Sequence, residues 1–191
     1  MPAQPPMLAR SHVWPAPKRP WLVCLDLQRD YVVPGRPRYA AANAEVASIC
    51  AEVLGFARDE GWRIVHSQLR EDAALWPRDL FHAPIEGLRP LVSEPVFFRQ
   101  GLSAFGNPGF AAELSLARGR EVFLIGFSLA DTCLATALAG VDAGLRLALV
   151  DDAIGAGAMP GAADAARTVL RPFASLVPSR SLMARSLEAV S

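Results

Sequence analysis

The sequence has almost no lysine: Lys18 stands alone, and the other 18 basic side chains are arginines. Basic and acidic residues balance at 19 each, so the chain has no charge excess of either sign. This balance argues against nucleic acid as a partner. No segment has the length and apolar character of a membrane span or signal peptide. We therefore expect a cytoplasmic protein that acts on a small molecule and does not bind a membrane.

Cysteine and histidine are also scarce, and neither shows the spacing of a metal site. The three cysteines are an odd number without a C-x-x-C pair, which fits a reducing compartment and not a disulfide framework. They are Cys24, Cys50 and Cys133, and the histidines are His12, His66 and His82. Because the histidines are scattered, no zinc-type cluster is indicated.

Two cofactor signatures are missing. No G-x-G-x-x-G follows the first predicted strand, and no G-x-x-x-x-G-K-[ST] occurs in the sequence. These patterns place backbone N–H groups around a dinucleotide or a nucleotide phosphate. We expect no cofactor.

What the sequence does contain is a regular alternation of strand and helix patterns. It predicts a proline-rich arm over residues 1–20 and one α/β domain over residues 21–191, with a parallel sheet covered by helices on both faces. The predicted strands are Trp21–Leu25, Trp62–His66, Val96–Phe98, Val122–Ile125, Leu145–Val150 and Ala174–Val177. The predicted helices are Arg38–Glu60, Phe110–Ala117, Leu134–Gly140, Ala162–Leu170 and Ser179–Ala189.

Three polar residues follow predicted strands directly: Asp26, Arg99 and, after a short turn, Cys133. Ligands of open parallel sheets bind beyond the carboxyl ends of the strands, so these side chains can share one crevice. The start of a helix favours a thiolate at Cys133. Backbone N–H groups of Thr132 and Cys133 would hold an oxyanion while Asp26 carries protons. The alternative is that Cys133 is a small apolar core residue.

Four stretches of the chain resemble the isochorismatase-like cysteine hydrolases. They read LVCLDLQRDYVVPG at 22–35, FFRQGLSAFGNPGF at 97–110, LIGFSLADTCLATALAGVDAG at 124–144 and LALVDDAIGA at 147–156. The resemblance implies a three-layer fold with a six-stranded parallel sheet in the order 3-2-1-4-5-6. It also implies a triad of aspartate, lysine and cysteine, and a homo-oligomer, either dimer or tetramer.

Arg99 occupies the lysine position of this triad, which is a departure from the family pattern. An arginine retains the charge and can pair with a carboxylate through two hydrogen bonds, but it does not readily release a proton. Two interpretations follow. One is a hydrolase that cleaves an amide-type C–N bond through Cys133, and the other is a degenerate relative that acts as a binding or assembly protein.

Two further comparisons with the family concern metal and chemistry. Nicotinamidases of this superfamily hold a metal with an Asp/His cluster in the loop after the first strand and near the second. The same region here contains Asp30, His66 and Asp72 but no D-x-H pattern. We expect no catalytic metal and no nicotinamidase activity. The spacing from Gly126 to Cys133 is that of the isochorismatase branch, which leaves open a vinyl-ether hydrolase with Asp26 as general acid.

Substrate contacts are predicted for five residues near the motifs, namely Gln28, Tyr31, Trp76, Ser103 and Phe105. Ordinary packing is the alternative for each of them. Asp151 and Asp152, which follow the fifth strand, are expected to be structural and to cap the segment that comes next.

Overall fold

The computed structural model describes residues 18–70, 82–157 and 159–188, with side chains through residue 184. Six parallel strands form one sheet in the order β3-β2-β1-β4-β5-β6, which confirms the predicted fold class and strand order. The strands are β1 Trp21–Leu25, β2 Arg63–Leu69, β3 Val96–Arg99, β4 Glu121–Gly126, β5 Arg146–Ile154 and β6 Ser175–Val177. The helices are α1 Asn43–Asp59, α2 Pro108–Ser115, α3 Leu134–Asp142, α4 Ala162–Leu170 and α5 Ser179–Glu188.

Strand β1 lies in the middle of the sheet, and its side chains alternate between two cores. Trp21, Val23 and Leu25 pack with α2, α3 and α4, whereas Leu22 and Cys24 pack with α1 and α5. All five residues of the strand are buried. The apolar run therefore serves both faces of the sheet, as expected for a central parallel strand.

Two strands continue three or more residues past their predicted ends, and in both the added residues are partly polar. Strand β2 continues past His66 to Leu69 because it pairs with β3, where Leu69 lies opposite Arg99. Strand β5 continues past Val150 to Ile154. The two acids within β5 are accommodated because neighbouring elements pair with them.

Those two acids are structural, as predicted. Asp151 Oδ1 lies 2.7 Å from Arg167 Nε on α4. Asp152 accepts hydrogen bonds of 2.8 Å from both the backbone N–H and the hydroxyl of Ser179, the first residue of α5. Asp152 thereby caps the last helix.

Helix α1 begins at Asn43 and not at Arg38. The preceding residues form turns, and the Asn43 side-chain amide donates to the Tyr31 carbonyl oxygen at 2.9 Å. This bond ties the start of α1 to the segment that follows β1.

The end of β4 requires a glycine. Gly126 has φ +124°, and a Cβ atom there would overlap the backbone carbonyl oxygen of Leu25. Phe127 N donates to that same oxygen at 2.9 Å, so the end of β1 and the residue after β4 cannot separate without losing a hydrogen bond. The sheet therefore fixes the direction in which the chain leaves β4 toward Cys133.

We expect Gly126→Ala to lower the free energy of unfolding by about 3 kcal/mol or more, because it combines a strained φ with a backbone overlap. Gly55→Ala is the matched control. Gly55 lies inside α1 with open space around it, so alanine should raise stability by about 0.5–1 kcal/mol. Urea unfolding of both variants measures the difference. Equal stabilities would contradict the role assigned to Gly126.

The proline-rich arm over residues 1–20 lies outside the described residues except for its last three positions. In the part of the chain that the structure describes, no helix combines the length and the apolar character needed to span a membrane. The domain boundary and the oligomeric state remain predictions.

Candidate active site

Asp26 is the first residue after β1, at the carboxyl end of the sheet. Its backbone has φ +51°, a conformation uncommon for residues other than glycine but better tolerated by aspartate. Its backbone N–H donates to the Ser67 carbonyl oxygen at 2.9 Å. The residue is 0% exposed. The carboxylate is therefore held in a fixed position inside the protein.

Arg99 lies two strands away, at the end of β3, and its side chain reaches across to Asp26. Nη1 lies 2.7 Å from Oδ1 and Nη2 lies 2.7 Å from Oδ2. The side chains of Arg99 and Asp26 are 1% and 0% exposed. This is a buried pair with two parallel charge-assisted hydrogen bonds, the geometry for which arginine is suited and lysine is not.

Thr132 joins this pair through its side chain, a contact the sequence did not predict. Its Oγ1 accepts a hydrogen bond from Arg99 Nη2 at 2.8 Å and donates one to Asp26 Oδ2 at 3.0 Å. The signal available in the sequence was a hydroxyl residue immediately before Cys133, in the turn expected to face the strand ends. The hydroxyl links the first half of the domain to the cysteine turn.

The carboxylate of Asp26 accepts further hydrogen bonds on both oxygens. Leu69 N donates to Oδ1 at 2.8 Å, and the Tyr31 hydroxyl donates to Oδ2 at 3.3 Å. Burial raises the pKa of Tyr31, so its hydroxyl remains a donor. Asp26 is the acceptor in every one of these side-chain hydrogen bonds. Any reaction in which Asp26 carries a proton, whether vinyl-ether or amide hydrolysis, requires the carboxylate to give up one of these hydrogen bonds.

Cys133 ends a π-helical turn over Leu129–Cys133, directly before α3. The predicted position at a strand-to-helix turn is confirmed, and the cis peptide bond between Phe127 and Ser128 lies earlier in this turn. Cys133 is 0% exposed. Within the described residues its Sγ makes no hydrogen bond.

The prediction that this thiol ionises easily is wrong for the structure as it stands. Burial raises the pKa of Cys133 well above its ordinary value, and the charges of Asp26 and Asp131 raise it further. The charge of Arg99 lowers it, but by less. Desolvation is the largest of these effects, because a buried thiolate loses the solvation by water that it has at the surface.

The backbone groups predicted to hold an oxyanion already have acceptors. Thr132 N donates to Asp131 Oδ1 at 2.5 Å, and Cys133 N donates to the Ser128 carbonyl oxygen at 3.0 Å. A substrate oxygen would have to displace these acceptors before either amide could bind it.

Gln28 was predicted to contact substrate, but its side-chain amide is engaged with the backbone. Nε2 donates to the carbonyl oxygens of Leu69 and His82 at 3.0 and 2.9 Å, and Oε1 accepts from Leu69 N at 3.1 Å. Gln28 therefore connects the end of β2 to the segment around His82. Tyr31, another predicted substrate contact, is 3% exposed and stacks on Phe127 with ring centroids 5.1 Å apart.

Of the three remaining predicted substrate residues, Ser103 and Phe105 make contacts within the fold. Ser103 Oγ accepts from Phe105 N at 3.2 Å and so begins the short helical turn Ala104–Gly106. The Phe105 ring packs edge-on against Phe110, with centroids 5.2 Å apart. Trp76 lies outside the described residues.

A groove of about 870 Å³ runs beside β5 and β6, remote from the predicted triad. Its lining includes Glu121, Arg146, Arg167 and Phe173. Because none of Asp26, Arg99 or Cys133 contributes to it, the groove does not provide access to the thiol.

His66 is buried within β2, where its ring contacts Glu94 and lies beside the partly exposed Arg58. Its Nε2 lies 2.9 Å from Glu94 Oε2, and Arg58 Nε donates to Glu94 Oε1 at 2.8 Å. Burial lowers the pKa of His66. Burial disfavours the charged form of Glu94, but hydrogen bonds from Arg58, Leu91 N and His66 outweigh it and lower the pKa to about 2. Among the described residues, no group of three or more potential ligands could hold a metal ion.

The comparisons with known proteins agree with this architecture. The family model of the isochorismatase domain matches residues 20–180. Maleamate amidohydrolase of Pseudomonas putida is 27% identical over 158 residues, which cover 72% of this chain and 73% of the relative.

Solved structures show the same fold. A cysteine hydrolase from Pseudomonas syringae pv. phaseolicola superimposes with a TM-score of 0.78 at 19% identity, covering 90% of this chain and 93% of that one. N-carbamoylsarcosine amidase from Thermoplasma acidophilum gives 0.69 at 20% identity, covering 85% and 97%. Since the family model spans most of the sequence, the chain belongs to the isochorismatase family of hydrolases.

Proposed function

We propose that this protein hydrolyses an amide-type C–N bond in a small molecule, with Cys133 as the nucleophile. The observation that supports the proposal best is the meeting of Asp26, Arg99 and the Thr132 hydroxyl at the carboxyl end of the sheet, with Cys133 as the next residue in the chain. The names of two relatives, maleamate amidohydrolase and N-carbamoylsarcosine amidase, describe cleavage of bonds of this class.

In the proposed reaction, Sγ of Cys133 bonds to the carbonyl carbon, and the carbonyl electron pair moves to the oxygen. The thiol proton passes through Asp26 to the leaving nitrogen, and the C–N bond breaks to release ammonia or an amine. Water then attacks the thioester, which gives a carboxylic acid and restores the thiol. To carry the proton, Asp26 gives up one hydrogen bond, from Thr132 or from Tyr31.

Arg99 does not carry a proton in this scheme, because a guanidinium does not readily lose one. It does not grip an anionic substrate through its fork either, since both Nη atoms contact Asp26. Its contribution is a fixed positive charge. Because burial raises the pKa of the resting thiol, the proposed reaction needs Asp26 to accept the thiol proton.

The second candidate is a degenerate binding or assembly protein. The observation that favours it is the combination of a buried thiol with a guanidinium whose fork is filled by Asp26. In this case the Asp26–Arg99 pair stabilises the fold and has no part in catalysis.

A screen of small amides with detection of released ammonia separates the two candidates. Maleamate, N-carbamoylsarcosine and simple aliphatic amides form the panel, and we expect turnover of at least one of them. Iodoacetamide labelling of Cys133 should be slow at neutral pH and should accelerate above pH 9, because the thiol pKa is raised. Absence of ammonia from every amide, together with turnover in an Arg99→Lys variant, would support the degenerate protein.

A further inference from the structure

The side-chain hydroxyl of Thr132 has the contacts of an activated nucleophile. Its Oγ1 donates to Asp26 Oδ2 at 3.0 Å and accepts from Arg99 Nη2 at 2.8 Å. A hydroxyl has one donor and two acceptor positions. Among the residues that the structure describes, the second acceptor position of Oγ1 has no partner. The oxygen therefore contacts a proton acceptor and a positive charge and still keeps a free lone pair.

Asp26 is held in place as the base for this hydroxyl. Arg99 Nη1 and Nη2 each lie 2.7 Å from one carboxylate oxygen, and Leu69 N donates to Oδ1 at 2.8 Å. Hydroxyl nucleophiles depend on a base within hydrogen-bond reach and on a third group that orients the base. Thr132, Asp26 and Arg99 supply the nucleophile, the base and the orienting group.

The helix that follows the turn indicates why this side chain reaches the polar site. Residues four apart lie on one face of a helix, and Thr132 and Thr136 are such a pair. Thr136 Oγ1 accepts from Ala104 N at 3.0 Å, so this face meets the segment that follows β3. Cys133 and Ala137 form the next face, and both belong to the apolar core. Position 132 therefore supplies the side chain of the polar site.

The hydrogen bonds of Asp26 indicate which substrates suit this nucleophile. Asp26 is the acceptor in each of its side-chain hydrogen bonds, and the proton of Thr132 can move to it along one of them. An amide nitrogen needs a proton from a general acid as it leaves. A phenolate or another weakly basic oxygen leaves without one, so Asp26 has only to accept. This arrangement favours esters with such leaving groups.

We propose that Thr132 Oγ1 is a second nucleophile of this site and accepts acyl groups from small esters with weakly basic leaving groups. Oγ1 bonds to the carbonyl carbon, its proton moves to Asp26 Oδ2, and the leaving oxygen departs with the electron pair of the broken C–O bond. Water then attacks the ester on Thr132 and gives up one proton to solvent. The Asp26 proton returns to Oγ1 as a carboxylic acid is released. The charge of Arg99 stabilises negative charge that develops on Oγ1.

This inference goes beyond the proposed function and does not depend on it. The attacking oxygen, the proton acceptor and the positive charge belong to Thr132, Asp26 and Arg99. Cys133 and amide hydrolysis have no part in the ester reaction. An acyl group on Thr132 in a protein that hydrolyses no amide would leave the inference standing. Amide hydrolysis without an acyl group on Thr132 would remove the inference and leave the proposed function.

The test uses p-nitrophenyl acetate, which releases a phenolate of low basicity. Thr132 is 3% exposed, so a small acyl group is used. The intact protein is incubated with the ester, quenched in acid and digested. Fragment-ion mass spectrometry then assigns the acetyl group to Thr132 or to its neighbour Cys133. Hydroxylamine removes acetyl groups from oxygen but not from nitrogen, which separates an ester on Thr132 from an acetylated Lys18.

We expect an acetyl ester on Thr132 of the natural chain. Thr132→Val keeps the shape of the side chain and should abolish the ester at that position, whereas Thr132→Ser should retain one. Thr168→Val is the matched control, because it makes the same change at an exposed threonine whose hydroxyl donates to the Asp164 carbonyl oxygen at 2.9 Å. It should leave the label at Thr132 unchanged. Far-UV circular dichroism verifies that each variant is folded.

Asp26→Asn removes the proton acceptor, and asparagine tolerates the positive φ at this position. Acetylation of Thr132 should slow by about 100-fold or more, because the reaction loses its general base. Acetylation confined to Cys133 or Lys18, or a rate indifferent to Asp26→Asn, would overturn the inference. The position of the label in the natural chain decides first, so a variant that does not fold leaves the test intact.

Discussion

Replacing Arg99 with methionine is expected to lower the free energy of unfolding by about 3–5 kcal/mol, since it leaves a buried charge without its partner. Asp26 is 0% exposed and would keep only the neutral donors Leu69 N, Tyr31 and Thr132. The cost comes from the isolated carboxylate and not from the size of the new side chain, because methionine fills a similar space.

Urea unfolding of two further variants identifies the cause. Adding Asp26→Asn to Arg99→Met removes the unpaired charge, and asparagine tolerates the positive φ at this position. We expect the double variant to recover a substantial part of the lost stability. Arg63→Met breaks an exposed pair with Glu113 and should cost less than about 1 kcal/mol. A loss below 1 kcal/mol in Arg99→Met would show that the buried pair does not support the fold.

Replacing Cys133 with alanine is expected to reduce amide hydrolysis by roughly 10⁴-fold or more, because the reaction loses the atom that attacks the carbonyl carbon. The substitution removes one buried sulfur from the core that includes Leu129 and Ala137. Its cost in stability should stay near about 1–2 kcal/mol. Ammonia release at saturating substrate measures the loss in kcat.

Cys24→Ala is the matched control, since Cys24 is also buried but faces α1 and α5 on the opposite side of the sheet. Burial raises the pKa of the Cys24 thiol as well. The Cys24→Ala variant should retain kcat within about threefold, because core substitutions far from the reacting atoms affect stability and not chemistry. If Cys133→Ala kept a tenth or more of the activity, sulfur would not be the nucleophile, and a reaction that uses Asp26 alone would be favoured.

The sequence was sufficient to predict the sheet and the ends of its strands. Apolar runs such as Trp21–Leu25 and Val122–Ile125 are long enough to identify buried strands, and Asp26 and Arg99 follow from the strand ends. The extent of β5 was not predictable from its residues, because Asp151 and Asp152 interrupt the apolar pattern. Their partners, Arg167 and Ser179, come from elements that only the fold brings near.

The chemistry of the site was less predictable than its position. The helix start near Cys133 is visible in the sequence, but the desolvation that raises its pKa depends on how completely the surrounding segments cover it. The role of the Thr132 side chain likewise required coordinates, because a pattern gives the residue before the cysteine but not the direction of its hydroxyl. The sequence also does not show that the backbone N–H groups of Thr132 and Cys133 already donate to Asp131 and Ser128.

The position of β1 at the centre of the sheet has a consequence for biosynthesis. Asp26 is made 73 residues before Arg99 and 106 residues before Thr132. At roughly 5–20 residues per second, translation delivers Thr132 about 5–20 seconds after Asp26. During that interval β1 can pair with β2, but β4 and Thr132 have not yet been made, so the contacts that Asp26 makes across the β4 side of the sheet form only late in synthesis.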